Sequence, residues 1–185
     1  MHRLHPQSTA VIVVDIQERL VRAIPQEQME PLLRATRILL SAARVLKSPV
    51  FLTEQYPQGL GPTHPEVSEL VSLAEGARFE KLEFSACGAL GFLAAIERAG
   101  ARAGVVMGLE AHICVFQTVR DLVSAGVETY VPIDGVASRR DDHKRAGLEL
   151  CARAGAFCTT SESVLFDWLA RAGTDEFKEL APLVR

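Results

Sequence analysis

The sequence lacks several features that would assign it to a common class of protein. No apolar run approaches the roughly 20 residues that a membrane-spanning helix needs, and the first residues show no signal-peptide pattern. A formal net charge of −3 gives no general attraction to nucleic acid or to anionic lipid. We therefore expect a cytoplasmic protein that binds a small molecule and neither nucleic acid nor membranes.

Cysteine pairs at metal-binding or redox spacing are absent as well. None of the four cysteines belongs to a Cys-x-x-Cys pair or has a histidine nearby at zinc-finger spacing. The first apolar run leads into Asp15, Ile16 and Gln17, so the Gly-x-Gly-x-x-Gly turn of a dinucleotide-binding protein is missing. We expect no cofactor, and we expect Cys151 and Cys158 to be core residues.

The composition suits one folded domain. Of the 185 residues, 48% are hydrophobic and 23% are charged, which is ordinary for a chain with one substantial core. No internal repeat, low-complexity tract or linker divides the sequence. We predict a single domain over residues 1–185.

Short apolar runs alternate with segments of helical periodicity along the whole chain. The predicted strands are residues 9–14, 49–53, 78–81, 103–107, 127–133 and 156–159. The predicted helices are residues 29–47, 89–99, 112–125, 142–154 and 161–170. This alternation predicts an α/β protein with a mainly parallel sheet of about six strands and helices on both faces. The segment 54–65, which is rich in proline and glycine, is predicted to be an irregular loop near a site.

Three reactive side chains stand at or just after the carboxyl ends of predicted strands: Asp15, Lys81 and Cys114. A parallel sheet would bring them to one edge, where such sheets bind ligands. Each also has a plain structural explanation. Asp15 could cap a short helix at 16–22, Lys81 could be a solvated charge, and Cys114 could be an inert buried thiol.

Together the three groups make chemical sense for a cysteine nucleophile. Asp15 would accept the thiol proton, Lys81 would supply a cation, and nearby backbone amides would bind an oxyanion. An ordinary aspartate is a weak base for a thiol, with a pKa gap of about 4 to 5 units. Burial that raises the pKa of Asp15, and a cation at Lys81 that lowers the pKa of Cys114, would close that gap.

Five short motifs resemble the isochorismatase-like cysteine hydrolases, a superfamily that also contains nicotinamidases and N-carbamoyl amidases. The motifs are VVDIQ at 13–17, Lys81, GLEAHICV at 108–115, DGVASR at 134–139 and TSESVLF at 160–166. Three further segments are most similar to the isochorismatase-domain-containing subgroup: TEQYP at 53–57, GLG at 59–61 and FKEL at 177–180.

The resemblance implies a three-layer α/β/α sandwich and a catalytic triad of Asp15, Lys81 and Cys114. It also implies a cis peptide bond between Glu110 and Ala111, with the amides of Ala111 and Cys114 aimed at an oxyanion. Homo-oligomers are usual in this superfamily. Side chains that could line the substrate pocket are Gln17, Gln55, Tyr56 and Phe84, although Gln17 could equally brace the loop.

Two departures from the superfamily patterns narrow the chemistry. Nicotinamidases hold a metal with an Asp-x-His pair and a second histidine after the second strand, where this chain has TEQY at 53–56. His64 alone does not replace that set, so we predict no metal. Isochorismatase itself lacks the nucleophilic cysteine, and Cys114 therefore favours covalent chemistry on an acyl group.

The leading hypothesis is cysteine-dependent hydrolysis of a small amide, at its C–N bond, or of a related acyl compound through a thioester. A non-catalytic binding or scaffold protein that keeps the fold is the alternative. A phosphatase-like role for Asp15 ranks lower, because Gln17 stands where a second aspartate is needed. His112 is a weak candidate for the base, because two residues before Cys114 it would point to another face.

Overall fold

The computed structural model describes residues 3–185, and a single parallel sheet runs through its centre. The strands are β1 (Thr9–Val14), β2 (Val50–Gln55), β3 (Ala77–Lys81), β4 (Ala103–Gly108), β5 (Glu128–Pro132) and β6 (Phe157–Thr159). They lie in the order β3-β2-β1-β4-β5-β6, and every adjacent pair is parallel. The predicted sheet of about six strands is confirmed.

Helices cover both faces of this sheet. In chain order they are α1 (Glu18–Val21), α2 (Gln26–Leu46), α3 (Pro57–Leu60), α4 (Pro65–Leu73), α5 (Phe92–Arg98), α6 (Phe116–Ser124), α7 (Asp141–Arg153), α8 (Ser161–Leu169) and α9 (Asp175–Leu180). Helices α2, α4 and α8 contribute to one apolar cluster, and α5, α6 and α7 contribute to a second. The fold is therefore the expected three-layer α/β/α sandwich.

The alternating side chains of β1 separate the two clusters. Val11 and Val13 pack into the cluster with α2, whereas Ile12 and Val14 pack into the cluster with α6. All six residues of β1 are buried, as expected for a central strand covered on both faces. The residue that follows β1 therefore lies at the carboxyl end of a central strand, in the middle of that edge of the sheet.

Some segments differ from the sequence-based expectation. The segment 54–65 is not wholly irregular, because it contains the single helical turn α3, and α4 follows it directly. Pro57 and Pro65 each stand at the start of a helix, where a fixed φ and a missing N–H are tolerated. Proline was thus a sign of helix starts here and not only of a loop. Helices α4 and α9 were also not predicted, and Cys158, which was expected in the core with Cys151, is exposed.

Residues 112–115 were predicted as the first turn of a helix, but they belong to a π-helical turn over Ala111–Val115. The α-helix itself starts at Phe116. A π-helical turn shares the apolar spacing of an α-helix over so few residues, so periodicity does not distinguish them. Between residues 3 and 185, no helix combines the length and the hydrophobicity that a membrane crossing requires.

Candidate active site

The strand order reverses between β1 and β4, and the candidate residues meet at the carboxyl edge of the sheet around this point. Such a reversal opens a crevice, because the connections from the two neighbouring strands leave in opposite directions. Asp15 directly follows β1, Lys81 ends β3, and Cys114 lies in the π-helical turn after β4. The structure therefore brings together the three residues that the sequence singled out.

Asp15 is fully buried, and other side chains hold both of its carboxylate oxygens. Thr53 donates its hydroxyl to Oδ1 at 2.7 Å, and Lys81 Nζ donates to Oδ2 at 2.6 Å. The backbone of Asp15 has a positive φ of 52°, a conformation that aspartate tolerates better than most residues. Asp15 does not cap a helix, because α1 has Gln17 at its N-cap.

Lys81 is not a solvated surface charge. Its side chain is fully buried and lies among four acceptors. Besides Asp15 these are Gln55 Oε1 at 2.8 Å and the backbone carbonyls of Glu83 at 3.2 Å and Phe84 at 3.0 Å. The ammonium group thus forms an ion pair with one carboxylate and is otherwise surrounded by neutral oxygens.

Cys114 is only 7% exposed and hydrogen bonds to Asp15 through its thiol. Burial raises the pKa of Asp15, against the opposing effects of Lys81 and Thr53, which is the expected direction. Burial and the negative charge of Asp15 also raise the pKa of Cys114 to about 12, although Lys81 acts in the other direction. The expected lowering effect of Lys81 on the Cys114 pKa is present, but burial and Asp15 outweigh it, so the resting group is a thiol.

The turn before Cys114 differs from the expected one by one residue. The cis peptide bond joins Leu109 to Glu110, and not Glu110 to Ala111. The Ala111 amide donates to the carbonyl of Ala137 at 2.9 Å, so it already has a partner in the segment after β5. The backbone of Glu110, in contrast, hydrogen bonds to the Cys114 sulfur and favours its thiolate form. The backbone of Glu110 therefore lies beside the sulfur, whereas the Ala111 amide is bonded to another segment.

The two candidate glutamines both face inward. Gln17 is buried, and its side chain bonds to backbone on both sides. Its Nε2 donates to the backbone carbonyls of Gln55 at 3.0 Å and Gly61 at 2.7 Å, and its Oε1 accepts from the backbone N–H of Gln55 at 2.7 Å. Gln17 is therefore the brace of the loop after β2. The Gln55 side chain contacts Lys81. Tyr56 and Phe84 are about half exposed and remain candidates for contact with substrate.

His112 faces a separate polar cluster beside the turn. Its Nδ1 lies 3.1 Å from Ser138 Oγ and 3.6 Å from Glu110 Oε2, and its ring contacts the tilted ring of His143 at 4.5 Å between centroids. Glu110 in turn pairs with Arg139 at 2.6 Å. Burial lowers the pKa of His112, as does the nearby His143, while Glu110 opposes them. His112 thus belongs to this cluster, and Asp15 is the ionisable group that hydrogen bonds to the thiol.

Thr53 is a site residue that the sequence reasoning missed. It appeared only as part of a subgroup motif, yet it pairs in register with Val14, the residue before Asp15. The parallel pairing of the first two strands therefore contained a signal for its position. Among the described residues, no group of three or more His, Cys, Asp or Glu side chains is placed to hold a metal ion.

This fold and this buried cluster define the class, a three-layer α/β protein of the isochorismatase-like hydrolase fold. The family model described as "Isochorismatase domain" matches residues 9–163, and the chain belongs to the isochorismatase family. It is 35% identical over 182 residues to isochorismatase domain-containing protein 1 of Danio rerio. That match covers 98% of this chain but only 62% of the relative, so the chain spans less than two thirds of that protein.

Solved structures agree with this assignment. The structure of MAR1 ribonuclease from Caenorhabditis elegans superposes with a TM-score of 0.91 at 33% identity, covering 99% of this chain and 92% of that one. The YcaC gene product of Escherichia coli, described as an octameric hydrolase of unknown specificity, has a TM-score of 0.87. It is 20% identical and covers 98% of this chain and 88% of its own, which shows the shared fold alone.

Proposed function

We propose that this protein is a cysteine-dependent hydrolase of a small amide or related acyl compound, acting through a thioester on Cys114. The observation that carries the proposal is the buried contact between the Asp15 carboxylate, the Lys81 ammonium and the Cys114 thiol. A carboxylate whose pKa is raised by burial is a stronger base than a solvated one, and the Cys114 thiol hydrogen bonds to Asp15 directly.

In the first half of the proposed reaction, the Cys114 sulfur attacks the carbonyl carbon of the substrate while its proton passes to Asp15. The carbonyl oxygen becomes an oxyanion, for which we propose the amides of Glu110 and Cys114 as donors. When the tetrahedral intermediate collapses, the C–N bond breaks and Asp15 returns its proton to the leaving amine. The acyl group remains on the sulfur as a thioester.

In the second half, water attacks the thioester carbon and gives one proton to Asp15. The C–S bond then breaks, the acid leaves, and the proton on Asp15 returns to the Cys114 sulfur, which restores the starting state. Throughout both halves Lys81 stays paired with Asp15 at 2.6 Å and balances the negative charge that moves between the carboxylate and the sulfur.

A panel of small primary amides, N-carbamoyl compounds and esters tests the proposal by release of ammonia, amine or alcohol. We expect at least one compound to be turned over by the wild type and not by Cys114→Ala. Cys87→Ala is the matched control, because Cys87 is a partly buried thiol away from Asp15 and its loss leaves turnover intact. Turnover that survives in Cys114→Ala contradicts the scheme. No turnover and no acyl uptake on Cys114 with any compound supports the scaffold alternative.

We further propose that the substrate is a small molecule and not nucleic acid, although a solved neighbour is named as a ribonuclease. The net charge of −3 and a nucleophile that is only 7% exposed support this choice, because binding to a polyanion needs an accessible basic surface. Incubation with labelled single-stranded RNA tests it, and we expect the wild type and Cys114→Ala to leave the RNA equally intact. Cleavage by the wild type alone would overturn this part.

We also propose that the protein forms homo-oligomers through an apolar surface beside the site, which we call the entrance patch. It consists of Tyr56, Leu82, Phe84, Leu90 and Leu93, of which Leu90 is 97% exposed. Leu82 and Leu90 line one cavity, and exposed apolar side chains that lie together mark interaction sites. The octameric neighbour supports association by proteins of this fold.

For location, we propose the cytoplasm. All four cysteines are free, and a reducing compartment keeps a nucleophilic thiol from being oxidised. Fractionation of cells that produce the protein is the test, with activity and antigen expected in the soluble cytoplasmic fraction. Recovery from the medium would contradict the proposal.

A further inference from the structure

The side chain of Gln55 is anchored at both ends of its amide group. Its Nε2 donates to the carbonyl of Leu82 at 2.6 Å, and its Oε1 accepts from Lys81 Nζ at 2.8 Å. The reverse orientation would place a donor against the ammonium and an oxygen against the carbonyl. The polarity of the amide toward Lys81 is therefore fixed by the fold.

The backbone of Gln55 is held as firmly as its side chain. Gln55 is the last residue of β2 and pairs in register with Lys81 at the end of β3, so the two side chains start from neighbouring positions on one face. The side chain of Gln17 also bonds to the backbone N–H and the backbone carbonyl of Gln55, at 2.7 Å and 3.0 Å. A side chain at this position has little freedom to move away from Lys81.

The neutrality of Gln55 determines the charge balance of the buried site. The ionisable groups that face one another here are Asp15, Lys81 and Cys114. Lys81 bonds to a single carboxylate, and Gln55 and two backbone carbonyls are its other acceptors. A second carboxylate in place of Gln55 would compete with Asp15 for the ammonium and add a negative charge close to the sulfur.

We propose that Gln55 is a positioning residue that holds Lys81 on Asp15 and, by being neutral, leaves the whole charge of Lys81 available to balance the thiolate of Cys114. The inference rests on the proposed function, since it concerns the same three groups. Gln55 acts through Lys81 and does not itself touch the reacting atoms.

The variant that tests this role is Gln55→Glu, which changes no heavy-atom shape. A protonated glutamic acid reproduces the glutamine pattern, because its O–H donates to the Leu82 carbonyl and its C=O accepts from Lys81. The ionised form presents an oxygen to both groups and a charge to the site. Labelling of Cys114 by methyl methanethiosulfonate, followed by peptide mass spectrometry at several pH values, reads out the effect without any substrate.

We expect Gln55→Glu to label Cys114 roughly ten-fold more slowly than the wild type at about pH 8, as a rise of one pKa unit in the thiol would cause. The deficit shrinks as the pH falls below about 4, where a glutamate near its ordinary pKa of about 4.3 regains its proton. Gln58→Glu is the matched control, because Gln58 is an exposed glutamine three positions further along the chain. We expect it to label like the wild type at every pH.

A second comparison shows whether the effect passes through Lys81. In a Lys81→Met background, adding Gln55→Glu should lower the labelling rate far less than it does alone, since the competition for the ammonium is gone. Circular dichroism checks that each variant is folded, and Gln55→Met, which loses the acceptor but carries no charge, replaces Gln55→Glu if that variant does not fold. Gln55→Met is then expected to slow labelling by the same factor at every pH.

Two results overturn the role of Gln55. One is a labelling rate in Gln55→Glu, or in its substitute Gln55→Met, that equals the Gln58→Glu rate at all pH values. The other is an equal loss with and without Lys81. Neither result depends on turnover. Failure of the proposed function, seen as turnover in Cys114→Ala, is therefore separate from failure of this inference.

Discussion

At the scale of single residues, burial and the ion pair with Lys81 have opposite effects on the pKa values of the site. Burial disfavours the charged forms of both Asp15 and Cys114, and Lys81 favours both. Because Lys81 forms its short contact with Asp15, the carboxylate is the group that is charged at rest and the thiol keeps its proton. In the proposed mechanism, proton transfer to Asp15 therefore belongs to the attack on substrate and does not precede it.

The first prediction is that Asp15→Asn speeds the labelling of Cys114 but abolishes turnover. Iodoacetamide reacts with the thiolate, so the wild-type rate should rise with pH toward the Cys114 pKa of about 12. Removing the Asp15 charge lowers that pKa, and Cys114 should be labelled several-fold faster at pH near 8, while hydrolysis is lost with the base. Lys81→Met should change labelling in the opposite direction. Slower labelling in Asp15→Asn would contradict the assigned electrostatics.

The second prediction concerns the hydroxyl of Thr53. In the wild type, the hydrogen bond from the Thr53 hydroxyl to Asp15 Oδ1 lowers the pKa of the Asp15 carboxyl. Thr53→Val keeps the shape of the side chain but removes this donor. The pKa of Asp15 should rise by roughly one further unit, as the loss of a hydrogen bond to a charged group implies. Because the base must be ionised, the acid limb of the pH–rate profile moves to higher pH.

An NMR titration of the isotope-labelled Asp15 carboxyl carbon measures this shift directly. Thr53→Ser is the control, since it retains the hydroxyl and should titrate close to the wild type. An unchanged Asp15 titration in Thr53→Val would show that the hydroxyl does not tune the carboxylate.

At the scale of elements, two close approaches of backbone shape the turn that carries Cys114. A Cβ on Gly108, which ends β4 with a φ of 127°, would collide with the carbonyl oxygen of Val14. A Cβ on Gly147 of α7 would lie 2.5 Å from the carbonyl carbon of Ala111 and 2.6 Å from the amide nitrogen of His112. Glycine at these positions lets β4 end against β1 and lets α7 pack directly on the π-helical turn.

The third prediction is that Gly147→Ala disturbs the site from a distance. The added methyl group meets backbone and not a flexible side chain, so α7 or the turn must shift. We expect a loss of about 1 to 3 kcal/mol in the free energy of unfolding, as for overpacking in other cores, and a changed labelling rate at Cys114. Urea denaturation measures the first, and Ala146→Ser on the exposed side of α7 is the control. Unchanged stability would contradict the tight packing.

The elements also show what the sequence could and could not reveal. The apolar runs of β1 and β4 and the amphipathic pattern of α2 are local signals, and signals of this kind sufficed for the sheet and its longer helices but not for α3, α4 and α9. The partner of the Ala111 amide is Ala137, and the partner of Asp15 Oδ1 is Thr53; both pairs are distant in sequence. Nothing in the run 108–115 indicates that the amide of Ala111 is bonded to Ala137, because that partner comes from a later segment.

At the scale of the whole molecule, the strand order places the site beside a surface that the described chain does not cover. The end of β3 leads from Lys81 directly into Leu82 and Phe84 of the entrance patch. A cavity of about 430 Å³ beside it has Lys81, Leu82 and Leu90 among its lining residues. Association through the patch would therefore bring a second chain next to the triad.

The fourth prediction is that charge on the entrance patch reduces the size of the assembly. In Leu82→Glu and Leu90→Glu, a carboxylate would have to be desolvated on association, which is costly without a partner. Size-exclusion chromatography with light scattering should give a lower mass for both variants than for the wild type. Leu73→Glu is the control, because Leu73 is similarly exposed at the end of α4. An unchanged mass in both patch variants would contradict association through this surface.

The central claim, that Cys114 carries the acyl group, is tested most directly by rapid quenching during the hydrolysis of p-nitrophenyl acetate, with peptide mass spectrometry of the quenched protein. The account predicts an acetyl group on Cys114 that appears with a burst of p-nitrophenolate and decays at the steady-state rate. In Asp15→Asn the adduct should persist, because no base activates the water. Steady-state hydrolysis with no acetyl group on Cys114, or unchanged hydrolysis in Cys114→Ala, would contradict it.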